Sequence, residues 1–168
     1  MKLVRFGAAG AERPGLVLSD GSIADISGVI SDVAGGALSP EALATLRGLD
    51  TVKLPKAPAG ARLGPCVGGV GKFIAIGLNY ADHAAETGAK IPSEPIVFMK
   101  ATSCIVGPND TVLKPRGSTK MDWEVELGVI IGSVTRYVSE ADAPKHIAGY
   151  CTINDLSERA FQLKHDGQ

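Results

Sequence analysis

The segment Asp122-Trp123-Glu124-Val125-Glu126-Leu127-Gly128-Val129-Ile130-Ile131 decides how this chain is read. It is rich in β-branched and aromatic residues and alternates at its start between apolar and acidic positions, which predicts a long strand from Trp123 to Ile131. On a strand alternate residues share a face, so Glu124 and Glu126 point one way with Cα atoms roughly 6.5–7 Å apart. Trp123, Val125 and Leu127 point the other way. Two carboxylates in an otherwise apolar strand repel each other and are costly to bury, and a hard divalent ion with oxygen ligands removes both penalties. A half-exposed strand with its polar face in water produces the same alternation, and the segment alone favours that blander arrangement.

Further along, the strand-like run Ile147 to Asn154 is followed by a third acid, Asp155. An acid at a strand end can reach a ligand bound across the sheet. It can equally open a helix from Leu156 to about Leu163 through the box Asp155-x-x-Glu158, and spacing leaves cap and ligand balanced. Upstream, Phe73-Ile74-Ala75-Ile76 predicts a strand ending in Gly77, and a short helix is expected over Tyr80 to Thr87, closed by Gly88. That helix puts His83 and Glu86 three apart on one face, where a carboxylate raises an imidazole's basicity, as suits a base that activates water. A surface ion pair worth a few tenths of a kcal/mol has the same spacing. Ile96 to Met99 and Thr111-Val112-Leu113 complete the expected strands of this region.

The first 65 residues read differently. Asp20-Gly21, between Leu16-Val17-Leu18 and Ile23, signals a hairpin with a two-residue turn. Ser39-Pro40 predicts the start of a short helix running to about Arg47 and stopped by Gly48. The proline-rich stretch from Leu54 to Pro65 reads as a linker, dividing a small N-terminal domain (1–65) from a second domain (66–168).

Composition narrows the classes. The chain has 168 residues, 45% hydrophobic and 21% charged, which argues against intrinsic disorder. The 17 Lys and Arg against 18 Asp and Glu leave a net charge of -1, without the basic footprint of a nucleic-acid binder. Gly (21) and Pro (10) with few aromatics point to many turns and short elements rather than a helical bundle. Cys66, Cys104 and Cys151 share no disulfide or zinc spacing, which fits a reducing compartment. Lys2 and Arg5 interrupt any signal-peptide core, and no window approaches the ~18 apolar residues of a membrane span, so a soluble cytoplasmic protein with no membrane partner is expected.

Together, FIAIGLNYADHAAE (73–86), DWEVELGVIIG (122–132) and GYCTINDLSERAFQ (149–162) resemble the fumarylacetoacetate hydrolase family. The resemblance covers most of residues 70 to 162. It implies an α+β, β-rich fold: a small N-terminal domain plus the family's rolled, mixed β-sheet core, incomplete here. It also implies a divalent metal, usually Mg2+, with Mn2+ or Ca2+ as alternatives. By that resemblance Glu124, Glu126 and Asp155 match the metal-binding carboxylates and are expected to converge on one ion. His83 and Glu86 match the water-activating pair, and Gln162 matches a substrate-contacting glutamine. Lys100 and Arg159 lie within matching motifs as further substrate contacts. A family lysine in a Gly-Lys-rich segment would follow Gln168, so the polar run Lys164 to Gln168 is expected to lead into a mobile lid, with the chain truncated there.

The activity so implied is hydrolytic cleavage of a carbon-carbon bond in an acylpyruvate-type 2-oxo acid by a homodimer. Lyase, isomerase or decarboxylase chemistry on the same platform, for example that of ureidoglycolate lyase, is the alternative, and a non-catalytic fragment the third possibility.

Overall fold

The computed structural model describes residues 1–164, with the side chain of Lys164 excepted. The expectations attached to His165–Gln168 therefore lie outside the described residues.

The N-terminal sheet is a three-stranded antiparallel meander of β1 (Lys2–Phe6), β2 (Arg13–Val17) and β3 (Ile23–Asp25). The predicted hairpin forms between β2 and β3, but with a longer turn. Gly21 N-H donates to the Leu18 carbonyl at 3.0 Å and Leu18 N-H to that of Ser22 at 2.8 Å. Three residues thus lie inside the loop, and Gly21 takes the left-handed position (φ +81°) that this turn requires. The helix α1 (Pro40–Arg47) matches its predicted limits. The Ser39 hydroxyl accepts from Ala42 N-H at 3.2 Å, Pro40 occupies the first turn, and Gly48 ends it.

Leu43 and Leu46 of α1 pack with Leu16, Ala24 and Ile26 to form the core. Complete burial of side chains such as Ile26 and Leu46 contributes about 1.5–3 kcal/mol each. The proline-rich stretch expected to be a linker instead seals both edges of this sheet. Asp25 N-H donates to Pro55 O (2.7 Å) and Ala57 N-H to Ile23 O (2.8 Å) along β3, while Gly7 donates to Arg62 O (2.9 Å) and Gly64 to Arg5 O (2.8 Å) along β1. Strand edges present unpaired backbone groups that must find partners, and these residues supply them.

Beyond the N-terminal sheet and α1 come β4 (Phe73–Gly77), α2 (Ala81–Thr87), β5 (Ile96–Lys100) and β6 (Met121–Asp122). They are followed by β7 (Val125–Ile131), β8 (Ile147–Asn154), β9 (Ser157–Glu158) and α3 (Arg159–Lys164). β4 pairs with β5, β6 with β9 and β7 with β8, all antiparallel. The strand expected from Trp123 to Ile131 begins instead at Val125, where pairing with β8 starts, while Met121 and Asp122 just before the expected strand pair with Glu158 and Ser157. The expected strand at Thr111-Val112-Leu113 does not form; these residues run as coil toward Pro115. Two compact units result: Met1–Gly68 together with the chain from Gly107 on, and Gly69–Val106. Among the described residues no helix is long and apolar enough to cross a membrane.

Candidate functional site

The register of β7 against β8 organises the acids. Glu126 lies opposite Ile153 and Val125 opposite Asn154. One step beyond, Asp155 N-H donates to the Glu124 carbonyl at 2.8 Å, and the Asn154 side-chain oxygen accepts from Glu124 N-H at 3.1 Å. Glu124 and Asp155 are therefore cross-strand neighbours at the ladder's end. Directly opposed residues share a face, so Glu124, Glu126 and Asp155 come to one side of the ladder although 29 residues separate Glu126 from Asp155 in sequence.

That side is the more buried one. The Glu124 side chain is 22% exposed, while Val125 and Leu127 on the opposite face are 67% and 61% exposed. The arrangement with acids in water and apolar residues inside is thus inverted. Convergence on a single point, however, does not occur: among the described residues no three His, Cys, Asp or Glu side chains are gathered closely enough to hold a metal ion. Glu124 forms an ion pair with Arg159 Nη2.

Arg159 stands at the centre of a second set of contacts. Its Nε donates to Asp122 Oδ2 at 3.0 Å and its Nη1 to the Gln162 side-chain oxygen at 3.0 Å. Burial opposes the guanidinium charge, but Asp122 and Glu124 outweigh it and raise its pKa. The Asp122 carboxyl is held below its usual range by the Arg159 hydrogen bond first, and by Trp123 N-H.

The predicted capping box fails. The helix begins at Arg159, four residues beyond Asp155, and its cap is Glu158, which accepts from Ala160 N-H at 3.2 Å. Glu158 also accepts from Lys120 N-H at 3.0 Å and from the buried Ser118 hydroxyl. The Ser118 hydrogen bond is the main cause of its lowered pKa. Asp122, Ser118 and Glu158 were not singled out as site residues from the sequence. Asp122 lies next to the acidic strand and carried the only local signal, whereas the Ser118–Glu158 contact spans 40 residues and carried none.

His83 and Glu86 stand exposed on α2, within the unit Gly69–Val106. Among the described residues no ion pair joins them. α2 is launched from β4 through Leu78, whose φ of +47° is a strained value for a branched side chain. It ends at Gly88 in the left-handed conformation (φ 68°), whose N-H reaches the Ala84 and Ala85 carbonyls. Lys100 closes β5 with its Nζ 5.8 Å from the Phe98 ring centroid. Of the thiols, Cys151 is pushed up to about 12, by burial first and then by the neighbouring Cys66, so it is no thiolate nucleophile at neutral pH.

The β7/β8 ladder thus carries Glu124, Glu126 and Asp155 on one face and is followed by a short helix that bears Arg159 and Gln162. Residues 72–168, more than half of the chain, match the family described as fumarylacetoacetate (FAA) hydrolase, C-terminal, and the chain belongs to that family. A Burkholderia ambifaria protein with the provisional name of hydrolase is 55% identical over the whole chain, which covers 60% of that relative. The fumarylacetoacetate hydrolase of Exiguobacterium antarcticum superposes with a TM-score of 0.75 at 30% identity, covering 98% of this chain and 59% of that one. The maleylpyruvate hydrolase of Sphingobium sp. SYK-6, in complex with manganese(II) and pyruvate, gives a TM-score of 0.76 at 27% identity, covering 95% of this chain and 60% of that one. The β-rich α+β fold is that of the family, and the chain spans about 60% of the length of the curated relatives it matches.

Proposed function

We propose that the protein is a divalent-metal-dependent hydrolase that cleaves an acylpyruvate-type 2-oxo acid. The observation that carries this reading is the β7/β8 register, which brings Glu124, Glu126 and Asp155 to one half-buried face. Three carboxylates on a face of that kind suit a hard cation, and Mg2+, Mn2+ or Ca2+ would be held by them. When bound, the ion supplies Lewis-acid stabilisation of charge developing on the substrate's oxygen atoms.

The chain's own residues take the remaining roles. His83, with Glu86 three residues further along the same helix, accepts a proton from water, and the resulting hydroxide adds to the distal carbonyl. Collapse of the tetrahedral adduct breaks the carbon-carbon bond, and the proton held by His83 is returned to the departing carbon. One acylpyruvate and one water thus give one carboxylic acid and one pyruvate. Gln162 holds the substrate in register, and Arg159 and Lys100 offer cations to its carboxylate. The pyruvate bound by the similar maleylpyruvate hydrolase supports this substrate class.

Turnover of acylpyruvates, oxaloacetate and ureidoglycolate, each with and without added Mg2+ or Mn2+, tests the proposal. Release of equimolar pyruvate and carboxylic acid, dependent on the ion, is expected. Decarboxylation, ureidoglycolate cleavage or isomerisation without pyruvate release would replace it with the lyase, isomerase or decarboxylase reading. We further propose residues 1–65 as the small N-terminal domain and 66–168 as the first part of the catalytic domain, in a cytoplasmic homodimer. The start of the family match at residue 72 supports that boundary. Sedimentation as a monomer at micromolar concentration would reject the dimer.

A further inference from the structure

The unit Gly69–Val106 joins the rest of the chain at two places, after Gly68 and before Gly107. Each junction is tied to a carboxylate. Gly68 N-H donates to the Val33 carbonyl at 3.0 Å, and Val33 N-H donates to Asp32 Oδ1 at 2.8 Å. Gly107 N-H donates to Asp110 Oδ2 at 2.7 Å. A continuous series of charges links these two acids. Arg5 Nε donates to Asp32 Oδ1 at 2.7 Å, and Arg5 Nη2 lies 3.4 Å from Glu12 Oε2. Arg62 Nη1 donates to Glu12 Oε1 at 2.9 Å, while Arg62 Nε and Nη2 hold the two Asp110 oxygens at 2.7 and 2.6 Å. We propose that this series is one coupling device, with Glu12 as its keystone, through which the two junctions loosen or tighten together. The unit bearing His83 and Glu86 is then mounted on a single hinge base rather than on two independent tethers.

Burial and geometry give the physical reason. The Glu12 side chain is 5% exposed and that of Arg5 13%, so water and salt screen their attraction little. Both Glu12 oxygens are committed, Oε1 to Arg62 and Oε2 to Arg5 and to Gly10 N-H at 3.1 Å. A carboxylate held by two guanidinium groups cannot move toward one without lengthening its contact with the other, and linked charged hydrogen bonds pass such a shift along. The bidentate grip of Arg62 on Asp110 fixes the guanidinium plane at the second junction. Hydrogen bonding to Arg62 holds the Glu12 and Asp110 carboxyls below their ordinary range, so both stay ionised at neutral pH. The backbone leaves little slack beneath the charges. A Cβ on Gly68 would lie 3.1 Å from Arg5 Cζ, and one on Gly107 would lie 3.1 Å from the Cα of Gly64, whose N-H donates to the Arg5 carbonyl. Beyond the first junction Gly69 takes φ +61°, so conformational freedom begins where the clamp ends. The coupling holds whichever reaction the protein catalyses.

Amide hydrogen exchange of the 168-residue chain, followed by NMR, tests it. The Gly68 and Gly107 amides report the junctions, and those of Leu43 and Leu46 in α1 serve as reference. Asp32→Asn, at one end of the series, should speed exchange at Gly107 roughly 2-fold or more, the lower range for residues in one network. Asp110→Asn should do the same at Gly68, because coupling is reciprocal. Unchanged exchange at the far junction in either variant would overturn the coupling. Equal acceleration at Leu43 and Leu46 would also overturn it, by showing that the whole fold has loosened. Glu12→Gln should speed exchange at both junctions and cut the transmission, so that adding Asp32→Asn leaves Gly107 unaffected. Transmission that survives in that background would overturn the keystone role. If Glu12→Gln does not fold, Arg5→Lys takes its place. It keeps the charge, but a single ammonium lacks the fork that spans Asp32 and Glu12. The effect of Asp32→Asn on Gly107 must disappear there too, and its persistence would refute the relay.

Discussion

In the N-terminal sheet and helix Ile26 is fully buried and Leu46 is 2% exposed, whereas on β7 Val125 and Leu127 are 67% and 61% exposed. Both regions hold the same kinds of residue. The first closes on itself because three strands, one helix and two sealed edges enclose a single core. The second is a two-stranded ladder, which offers two faces, and among the described residues no third strand pairs with it. The face that faces inward is the one bearing Glu124 and Glu126, so the ladder trades apolar burial for half-buried charge, and that charge is met by Arg159. Packing holds one region, while register and ion pairing hold the other.

The sharpest way to break this contrast is a paired truncation. Leu46→Ala should cost about 2–5 kcal/mol by the transfer-plus-cavity argument, and Leu127→Ala within about 0.5 kcal/mol as a surface change. Chemical denaturation of both variants checks it, and equal costs would show that the outer face of the ladder is covered in solution. Next, Gly128→Ala should cost about 1–3 kcal/mol through overpacking. A Cβ there would come within 2.6 Å of the Cys151 sulfur and of Ile153 Cδ1. Thermal unfolding monitored through Trp123, the single tryptophan, reads this out beside the ladder.

Acid should separate the regions as well. The carboxyls of Asp122 and Glu158 titrate below their ordinary values of 3.8 and 4.5, so their stabilising contribution is complete above those values and is lost as the pH falls through the lower folded ones. Trp123 fluorescence should therefore change below about pH 4. The packing of Ile26 and Leu46 has no titratable component, and amide exchange there should stay slow until Glu12 and Asp25, whose pKa values are also lowered, are protonated. Simultaneous loss of both signals would mean that the two regions unfold as one. The smallest effect expected of the folded module is Ser39→Ala, about 1 kcal/mol from the lost cap of α1, with no change in Mn2+ binding.

Much of this architecture was legible locally. The limits of α1, the strand Phe73–Gly77, the glycine that ends α2 and the shared face of Glu124 and Glu126 each depend on residues within a few positions of one another. Propensity, capping and side-chain periodicity act over that range. The three family motifs likewise identified the fold class, because each carries several specific residues in a row.

Other features had no local signature. The two-residue turn became a three-residue one, the linker became the edge pairing of a sheet, and the expected strand at Thr111–Leu113 stayed coil. The long strand lost Trp123 and Glu124 at its start, where the pairing partner changes from β9 to β8, and Glu158 left the capping box to bind Ser118 and Lys120. By itself, then, the sequence determined the limits of α1 and of the strand Phe73–Gly77 and which acids share a strand face. Only the tertiary structure decided that Asp155 faces Glu124, and that Arg159 rather than a third carboxylate reaches Glu124. Those contacts join residues some 30 apart, and they form only when chain closure brings together partners whose charges and backbone donors must be satisfied at once.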